Sequence, residues 1–352
     1  MYVCCVELRK KKMSHSVLSP RQSAKFISDN SSEVKINNKG VDKVADIIGE
    51  KLHNCEYSIK AWKQHSLHPQ KMEKETVDWI FVIDTLNFSF WSETNEKRFL
   101  VDYNNEKHSG YWSLCAALKR ALEEGIPITT PSCYSTISLG KLQYIFRSVT
   151  DTNIPLLKKR MQHLHEVGQI LVEKFDGSFV RCLEQCDNSV EKLLDIVTEN
   201  FPCFRDYAEF KGKKVSLLKR AQILVADIWA CFEGEGYGKF HDISSLTMFA
   251  DYRVPQVLNY LGVLEYSAAL MDDLKSSRLF TPGEDLEVEI RGNSIWAVEL
   301  IIDKIRQKQG DKEVEDRNLN AVIVDFYLWD FSKDHWADMK HIPIHKIRST
   351  NY

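Results

Sequence analysis

Asp251 is a candidate for acid, base or electrostatic catalysis because of where it stands in the chain. It lies in residues 248–256, MFADYRVPQ, where an apolar run ends and a helix is predicted to begin. Pro255 fits the first turn of that helix, and an acid at a helix N-terminus is stabilised as the anion. Taken alone, the pattern also predicts an ordinary helix N-cap, a position that aspartate favours. A carboxylate held there could equally stabilise a developing positive charge or orient a water molecule.

A second group of polar side chains stands among aromatic residues in residues 84–91, DTLNFSFW. In a pocket, Asn87 and Ser89 could hydrogen-bond the edge of a planar base while an aromatic ring stacks on its face. The same pattern fits a buried strand edge whose polar groups are satisfied locally. Both interpretations stay open from the residues alone.

Two further segments carry charges beside apolar residues. In residues 325–330, DFYLWD, Asp325 and Asp330 are either solvated acids or partners for a substrate cation in an aromatic pocket. In the basic run 211–220, Lys219 or Arg220 could reach inward to a phosphate, although such runs are usually solvated. Asp227, seven residues after Arg220, lies on much the same helix face, which favours a structural salt-bridge network.

The bulk composition limits the classes of function. The chain has 352 residues and a formal net charge of -3, which argues against a surface built to bind duplex nucleic acid but allows one small phosphorylated ligand. The sequence lacks the GxGxxG, GxxxxGK[ST], HExxH and GxSxG motifs. Its 9 cysteines include no CxxC pair, which indicates reduced thiols in a cytosolic protein. No apolar run reaches the length of a membrane span.

The elements that must position these residues are mainly helical. Apolar residues recur at helical spacing in residues 41–53, 111–125, 155–175, 189–200, 215–232, 254–274 and 294–308. Residues 285–291 alternate with a period of two and predict a strand, residues 79–83 predict a strand or a buried segment, and residues 320–331 fit either state. The polar run 307–318 predicts a solvent-facing loop. The sequence therefore predicts a mainly α fold with a few short strands, in which residues 1–13 are a flexible extension and residues 14–352 a single domain.

Several of these segments together resemble the queuosine salvage family, the queuosine 5′-phosphate N-glycosylases. The resemblance covers the chain from about residue 13 to residue 352. It rests on the strings DTLNFSFW (84–91), SGYWSLCAA (109–117), KRAQILVAD (219–227), MFADYR (248–253), VEIRG (288–292) and DFYLWD (325–330).

The resemblance implies a fold similar to the helix-hairpin-helix DNA glycosylases, in which a catalytic aspartate follows an apolar stretch and opens a helix. Residues 248–256 look like that arrangement, so the resemblance makes Asp251 the expected catalytic residue. Cleavage of a nucleoside C–N bond builds positive charge on the ribose, as glycoside hydrolysis does, and a nearby anion stabilises that charge. The scheme requires neither a metal nor a cofactor.

The substrate implied by the resemblance, queuosine 5′-monophosphate, has a base, a cationic side-chain amine and a phosphate to recognise. Queuine is a 7-deazaguanine and has no N7 to protonate, so hydrogen bonds in the pocket must assist departure of the base. The expected contacts are His65, Asn87 and Ser89 at the base edge, Phe88 and Phe249 on its face, Asp325 or Asp330 at the amine, Lys219 or Arg253 at the phosphate, and Asp227 and Tyr327 completing the set.

Two alternatives remain beside this hydrolase. One is a non-catalytic protein that binds a modified nucleoside, which would keep the aromatic pockets but show no turnover. The other is a DNA-repair glycosylase, which would bind duplex DNA in a strongly salt-dependent way. The preferred hypothesis expects a small-molecule substrate, no direct binding to tRNA or DNA, no membrane, and a location in the cytoplasm, with the nucleus as a second location.

Overall fold

The structure, a computed structural model, describes residues 17–94, 97–310 and 318–352. Within these ranges the chain is mainly helical, which confirms the prediction from helical periodicity. The α-helices are α1 (Pro20–Asn30), α2 (Asn38–His53), α3 (Ala61–Gln64), α4 (Lys74–Thr85), α5 (Tyr111–Glu123), α6 (Pro131–Tyr134), α7 (Leu139–Ile145), α8 (Leu157–Lys174), α9 (Val180–Gln185), α10 (Val190–Asn200), α11 (Lys219–Cys231), α12 (Arg253–Tyr260), α13 (Ala268–Lys275), α14 (Asp285–Gln309) and α15 (Ala321–Asp334).

The strands of the described ranges are short and pair two by two, so they connect helices and build no central sheet. Strands β1 and β6, β2 and β3, and β4 and β5 pair antiparallel, whereas β7 and β8 pair parallel. Their bounds are β1 (Val34–Ile36), β2 (Leu100–Tyr103), β3 (Glu106–Ser109), β4 (Tyr207–Phe210), β5 (Lys213–Ser216), β6 (Leu264–Tyr266), β7 (Leu279–Phe280) and β8 (Lys346–Ile347).

Buried apolar side chains form two clusters. The first takes side chains from α4, α5, α8, α10 and α11, and the second from α1, α2, α12, α13 and α14. Helix α15 contributes to both, with Ile323 in the first cluster and Val324 in the second. Burial of apolar area at about 25 cal/mol per Å² is the main force that holds these helices together. The starts of α11 and α12 and one face of α15 line a cavity to which both clusters contribute side chains.

The strand predicted at residues 285–291 is wrong, because these residues form the first turns of α14. The alternation predicts that acids face solvent, yet Glu287 and Glu289 are about as buried as Val288 and Ile290. Glu287 pairs with Arg291 at 3.1 Å, and the Glu289 carboxylate accepts hydrogen bonds from the backbone N–H groups of residues 32–34. The acidic residues that alternate with apolar ones here are buried and paired. The same alternation is otherwise typical of a strand with one exposed face.

Other differences concern where elements begin and end. Residues 79–83 are buried as predicted, but they lie in helix α4 rather than in a strand; a run buried on all sides carries no period. The helix predicted over residues 215–232 begins only at Lys219, after strand β5. The helix predicted over residues 254–274 is interrupted at Gly262, whose φ of 75° ends α12 before β6 and α13.

The proposed extension, residues 1–13, and most of the loop at residues 307–318 lie outside the described residues. Among the described helices, none combines the length and the apolar character needed to cross a bilayer. The cysteines that the structure describes are all free thiols.

Candidate functional site

A cavity of about 1350 Å³ opens where the two apolar clusters adjoin. Its walls come from the start of α11, the start of α12, one face of α15, the segment before α3, and the segments that flank α4 and α5. Buried side chains such as Asp227 form its inner end, and exposed side chains such as Trp336 stand at its mouth. The lining combines polar groups with many aromatic side chains, which is typical of a small-molecule site.

Asp251 lines this cavity immediately before α12. Its Oδ1 accepts hydrogen bonds from the backbone N–H groups of Arg253, at 2.7 Å, and Val254, at 3.0 Å. The helix-capping interpretation is therefore correct, and it does not exclude a catalytic one. Only Oδ1 makes these bonds, so Oδ2 is available to a ligand in the cavity.

A buried charge cluster holds the backbone that carries Asp251. Arg291 donates from Nε to the carbonyl oxygen of Ala250 at 3.0 Å. The same guanidinium pairs with Asp206 at 2.6 Å and with Glu287 at 3.1 Å. Because the guanidinium and both carboxylates are buried, this network fixes the peptide next to Asp251.

Carboxyl groups gather at the inner end of the cavity. Asp227 accepts a hydrogen bond from Trp62 Nε1 at 2.9 Å, and Asp325 accepts one from the backbone N–H of Phe249 at 3.0 Å. Burial raises the pKa of both carboxyl groups well above the usual range of aspartate. The salt-bridge network predicted for Asp227 is not its setting, because its hydrogen-bond partner is an indole. A ligand cation would relieve this accumulation of buried acids.

Lys219 lies between these acids and the wall formed by residues 84–91. It is buried, lines the cavity and donates from Nζ to the carbonyl oxygen of Asn87 at 3.4 Å. Burial lowers the pKa of Lys219, whereas Asp251 and Asp84 oppose that shift. Arg220, the other cation weighed at sequence level, points away and donates to the carbonyl oxygens of Asp84 and Thr85. Lys219 therefore belongs to the acidic end of the site.

One face of α15 supplies a stripe of cavity-lining side chains at helical spacing: Asp325, Phe326, Trp329, Asp330 and Lys333. The Asp330 carboxylate accepts a hydrogen bond from the Tyr57 hydroxyl at 2.5 Å. Tyr327 lies off this stripe and packs edge-on against Tyr57, with ring centroids 5.4 Å apart. Tyr327 thus contacts a wall of the cavity from behind and does not line it.

The rings of His65, His68 and Trp112 form another part of the lining, next to Trp329 of α15. His65 stacks on Trp112 with ring centroids 3.3 Å apart and an interplanar angle of 7°. The backbone N–H of Leu67 donates to His65 Nδ1 at 3.2 Å, so in the neutral ring Nε2 carries the proton. His65 therefore offers one hydrogen-bond donor to the cavity.

The segment after α4 divides its side chains between cavity and core. Asn87 and Phe90 line the cavity, and the Asn87 amide donates to Asp84 Oδ1 at 3.1 Å, which leaves its oxygen as an acceptor for a ligand. Phe88 is fully buried beneath the guanidinium of Arg160, which lies 4.3 Å from its ring centroid. The structure therefore does not place Phe88 where it could stack on a base.

Ser89 is also buried away from the cavity. It has a φ of 54°, and its backbone N–H donates to the carbonyl oxygen of Tyr352 at 3.0 Å. Its hydroxyl accepts from Arg348 at 3.4 Å. At this left-handed turn Phe88 and Ser89 are buried in the protein while Asn87 and Phe90 line the cavity, so Ser89 is not in contact with it.

Cations gather toward the mouth of the cavity. The Arg253 guanidinium lies 4.6 Å from the ring centroid of Trp336, and the Lys333 ammonium lies 4.2 Å from that of Trp329. Arg98 lines the same cavity, and its charge contributes to lowering the pKa of both groups. Enclosure by the cavity walls, then repulsion from Arg253, lowers the pKa of Lys333 to about 8 although its side chain remains solvent-accessible. An anion bound here would relieve the repulsion.

The structure therefore brings most of the predicted residues to one cavity: His65, Asn87, Lys219, Asp227, Phe249, Asp251, Arg253, Asp325 and Asp330. It leaves Phe88, Ser89 and Tyr327 outside. Sequence reasoning missed Lys333 and the aromatic residues Tyr57, Trp62 and Trp112. Lys333 could have been predicted from spacing, because Asp325, Trp329 and Lys333 follow one another at intervals of four residues and therefore share a helix face.

Comparison with known proteins assigns the family. The family model described as queuosine salvage protein matches residues 67–352. The chain is 50% identical over 340 residues to a relative from Bos taurus, covering 96% of this chain and 99% of that protein. A relative from Schizosaccharomyces pombe is 42% identical, with 94% and 99% covered, and one from Sphaerobacter thermophilus is 39% identical, with 81% and 84% covered. Each of these relatives is named queuosine 5′-phosphate N-glycosylase/hydrolase. The chain belongs to the queuosine salvage protein family.

Proposed function

We propose that the protein hydrolyses the N-glycosidic bond of queuosine 5′-monophosphate and releases queuine. The names of its relatives support this reaction. The observation that carries the proposal is the division of charge around Asp251. The buried acids Asp227 and Asp325 outnumber Lys219 at the inner end of the cavity, and cations predominate toward its mouth. This arrangement matches a substrate whose base carries a cationic amine and whose ribose carries an anionic phosphate.

In the proposed mechanism, Asp251 Oδ2 faces the ribose. As the C1′–N bond breaks, positive charge develops on the ribose, and the fixed carboxylate stabilises it. Asp251 also orients the water whose oxygen adds to C1′, and it accepts that water's proton. Helix α12 holds the carboxylate in place through the two bonds to Oδ1, so no reorganisation is needed during the reaction.

The base lies deeper in the cavity. His65 donates from Nε2 to an acceptor on its edge, which offsets the negative charge on the departing base, and the Asn87 amide oxygen accepts from an N–H of the base. Phe249 stacks on its face. The side-chain amine of queuine is a cation at neutral pH and pairs with the buried acids Asp325 and Asp227 or, nearer the Tyr57 hydroxyl, with Asp330. Phe88, Ser89 and Tyr327 have no part in this complex.

Further aspects of the proposal follow from the same site. Both apolar clusters contribute to the cavity, so we propose that residues 14–352 act as one domain. Asp251 opens a helix after an apolar stretch, which supports a relation to the helix-hairpin-helix glycosylases. The absence of a cofactor, of tRNA or DNA binding and of a membrane partner, and a location in the cytoplasm or nucleus, stay predictions.

The direct test is incubation of the purified protein with queuosine 5′-monophosphate, followed by chromatography for free queuine and ribose 5-phosphate. We expect equal amounts of the two products. Tight binding without release of base would instead indicate a non-catalytic binding protein. Release of bases from duplex DNA, with binding that weakens steeply as salt increases, would indicate a DNA-repair glycosylase.

Lys333 and Arg253 are proposed to hold the 5′-phosphate, which gives a testable prediction. Replacement of Lys333 by glutamine should raise KM for queuosine 5′-monophosphate by roughly tenfold or more, because a charge-assisted hydrogen bond is lost. The unphosphorylated nucleoside should be little affected. Steady-state kinetics with both substrates measures the difference, and an equal effect on the two would contradict a phosphate contact.

The same lysine gives a pH dependence. With a pKa of about 8, Lys333 is charged below that pH and loses its charge as the pH rises through it. The value of kcat/KM for the nucleotide should therefore fall above about pH 8, since this parameter reports the titration of the free enzyme. In Lys333→Arg the cation persists to higher pH, so this alkaline limb should move upward or disappear.

A further inference from the structure

We propose that the mouth of the cavity holds a second subsite, which binds a nucleoside esterified to the 5′-phosphate of the substrate. The enzyme would then also release queuine from short oligonucleotides that carry queuosine at their 3′ end. This inference rests on the proposed function and extends its substrate class from a phosphomonoester to a phosphodiester.

The size of the cavity is the first observation. Small-molecule sites usually occupy roughly 300–1000 Å³, and those volumes already accommodate drug-sized ligands. The cavity of about 1350 Å³ exceeds that range, although a nucleoside monophosphate is a small ligand. Space therefore remains beyond the base, the ribose and the phosphate.

The second observation is the position of Trp336. Its side chain lines the cavity yet remains 38% exposed, which places the indole at the mouth. The guanidinium of Arg253 lies 4.6 Å from its ring centroid, so the ring adjoins a proposed phosphate ligand. A group joined to the outer side of that phosphate would meet the accessible part of the indole. An aromatic face beside a cation is the arrangement by which proteins bind successive bases of single strands.

The third observation is that this surface is held in place and is basic. Gln256, on α12, donates from Nε2 to the carbonyl oxygens of Met339, at 3.3 Å, and Ile342, at 2.6 Å. These bonds fasten the turn after Trp336 to the helix that Asp251 caps. Lys340, on that turn, and Lys346 also line the cavity, whose exposed acids include Asp334 and Glu56. Each further nucleotide of an oligonucleotide brings another phosphate to this surface, and the excess of cations there favours such a polyanion.

The reaction itself is unchanged by the ester. Water adds to C1′, the C1′–N bond breaks, and the departing base takes up a proton, while the phosphodiester stays intact. The products are queuine and an oligonucleotide that ends in a ribose with a free anomeric hydroxyl. The subsite thus contributes binding energy and takes no part in the chemistry.

The test compares queuosine 5′-monophosphate with a dinucleoside monophosphate in which adenosine is linked through its 3′ oxygen to the 5′-phosphate of queuosine. We expect the wild-type protein to release queuine from both. In Trp336→Ala the ratio of kcat/KM for the dinucleotide to that for the mononucleotide should fall about tenfold, because one base-stacking contact is lost. Trp336→Phe should restore most of that ratio. Tyr144→Ala, which removes an exposed aromatic side chain outside the cavity, should leave the ratio unchanged.

Three results would overturn the inference, and they are distinguishable. Release of queuine from the mononucleotide but not from the dinucleotide would disprove the second subsite and leave the proposed function intact. An equal loss of kcat/KM for both substrates in Trp336→Ala would show that Trp336 contacts the mononucleotide and not an added nucleoside. If neither substrate is cleaved, the proposed function fails and the subsite fails with it.

Discussion

Replacement of Asp251 by asparagine is expected to slow queuine release by about 10³-fold, because a neutral amide no longer stabilises the positively charged ribose. The fold should persist. The asparagine side chain keeps an oxygen in the place of Oδ1, where it can accept the same two backbone N–H groups at the start of α12. Asparagine and aspartate are similarly good N-cap residues. Single-turnover assays with chromatography measure the rate, and thermal unfolding measures the stability.

The matched variant is Asp251→Ala, which removes both the charge and the cap. It should be as inactive as the asparagine variant and in addition less stable by about 1 kcal/mol, the usual cost of losing an N-cap. This pair separates the two roles of the residue. Turnover at the wild-type rate in Asp251→Asn would show that another group stabilises the transition state.

Replacement of Arg291 by methionine is expected to lower the free energy of unfolding by about 3–5 kcal/mol, because it leaves buried carboxylates without their cation. Asp206 and Glu287 would lose a guanidinium that is bound at 2.6 and 3.1 Å. The change also frees the carbonyl oxygen of Ala250, so the position of Asp251 should become less defined and kcat should fall. Urea unfolding followed by circular dichroism gives the stability.

The control is Arg181→Met, which removes an arginine that forms solvent-exposed ion pairs with two acids. Arg181 contacts Asp176 at 3.3 Å and Glu184 at 2.7 Å, and its side chain is about half exposed. Such surface pairs contribute roughly 0–1 kcal/mol, so this variant should unfold close to the wild-type midpoint. A similar loss in both variants would mean that burial does not set the strength of the Arg291 cluster.

Local periodicity predicted much of the helical fold because one face of each helix packs on a core. Periodicity predicted no helix where the helix does not have one buried and one exposed face. The first turns of α14 bury charged and apolar side chains alike, and α4 is buried nearly all round, so neither shows a helical stripe. The state of residues 320–331 stayed open for the same reason, since apolar residues there occupy every side of α15.

That ambiguity also limited the prediction of the site. Once residues 321–334 are known to be helical, spacing alone puts Asp325, Trp329 and Lys333 on one face and removes Tyr327 from it. The left-handed turn at Ser89 has no comparable signal, because serine rarely adopts that conformation. Nor does local sequence show that Trp62 reaches Asp227, a contact across 165 positions. The motifs therefore named residues that share one cavity, and tertiary contacts decided which of their side chains line it.

The division of charge along the cavity has a kinetic consequence. Asp227 and Asp325 lie at its buried end, and the cations Arg253 and Lys333 lie toward its mouth. In the proposed complex, cleavage leaves queuine beneath the sugar phosphate, with no exit of its own past the occupied mouth. Ribose 5-phosphate must then depart first and queuine second. Excess queuine would bind the vacated enzyme and compete directly with the nucleotide, so the salvaged base itself would restrain further turnover.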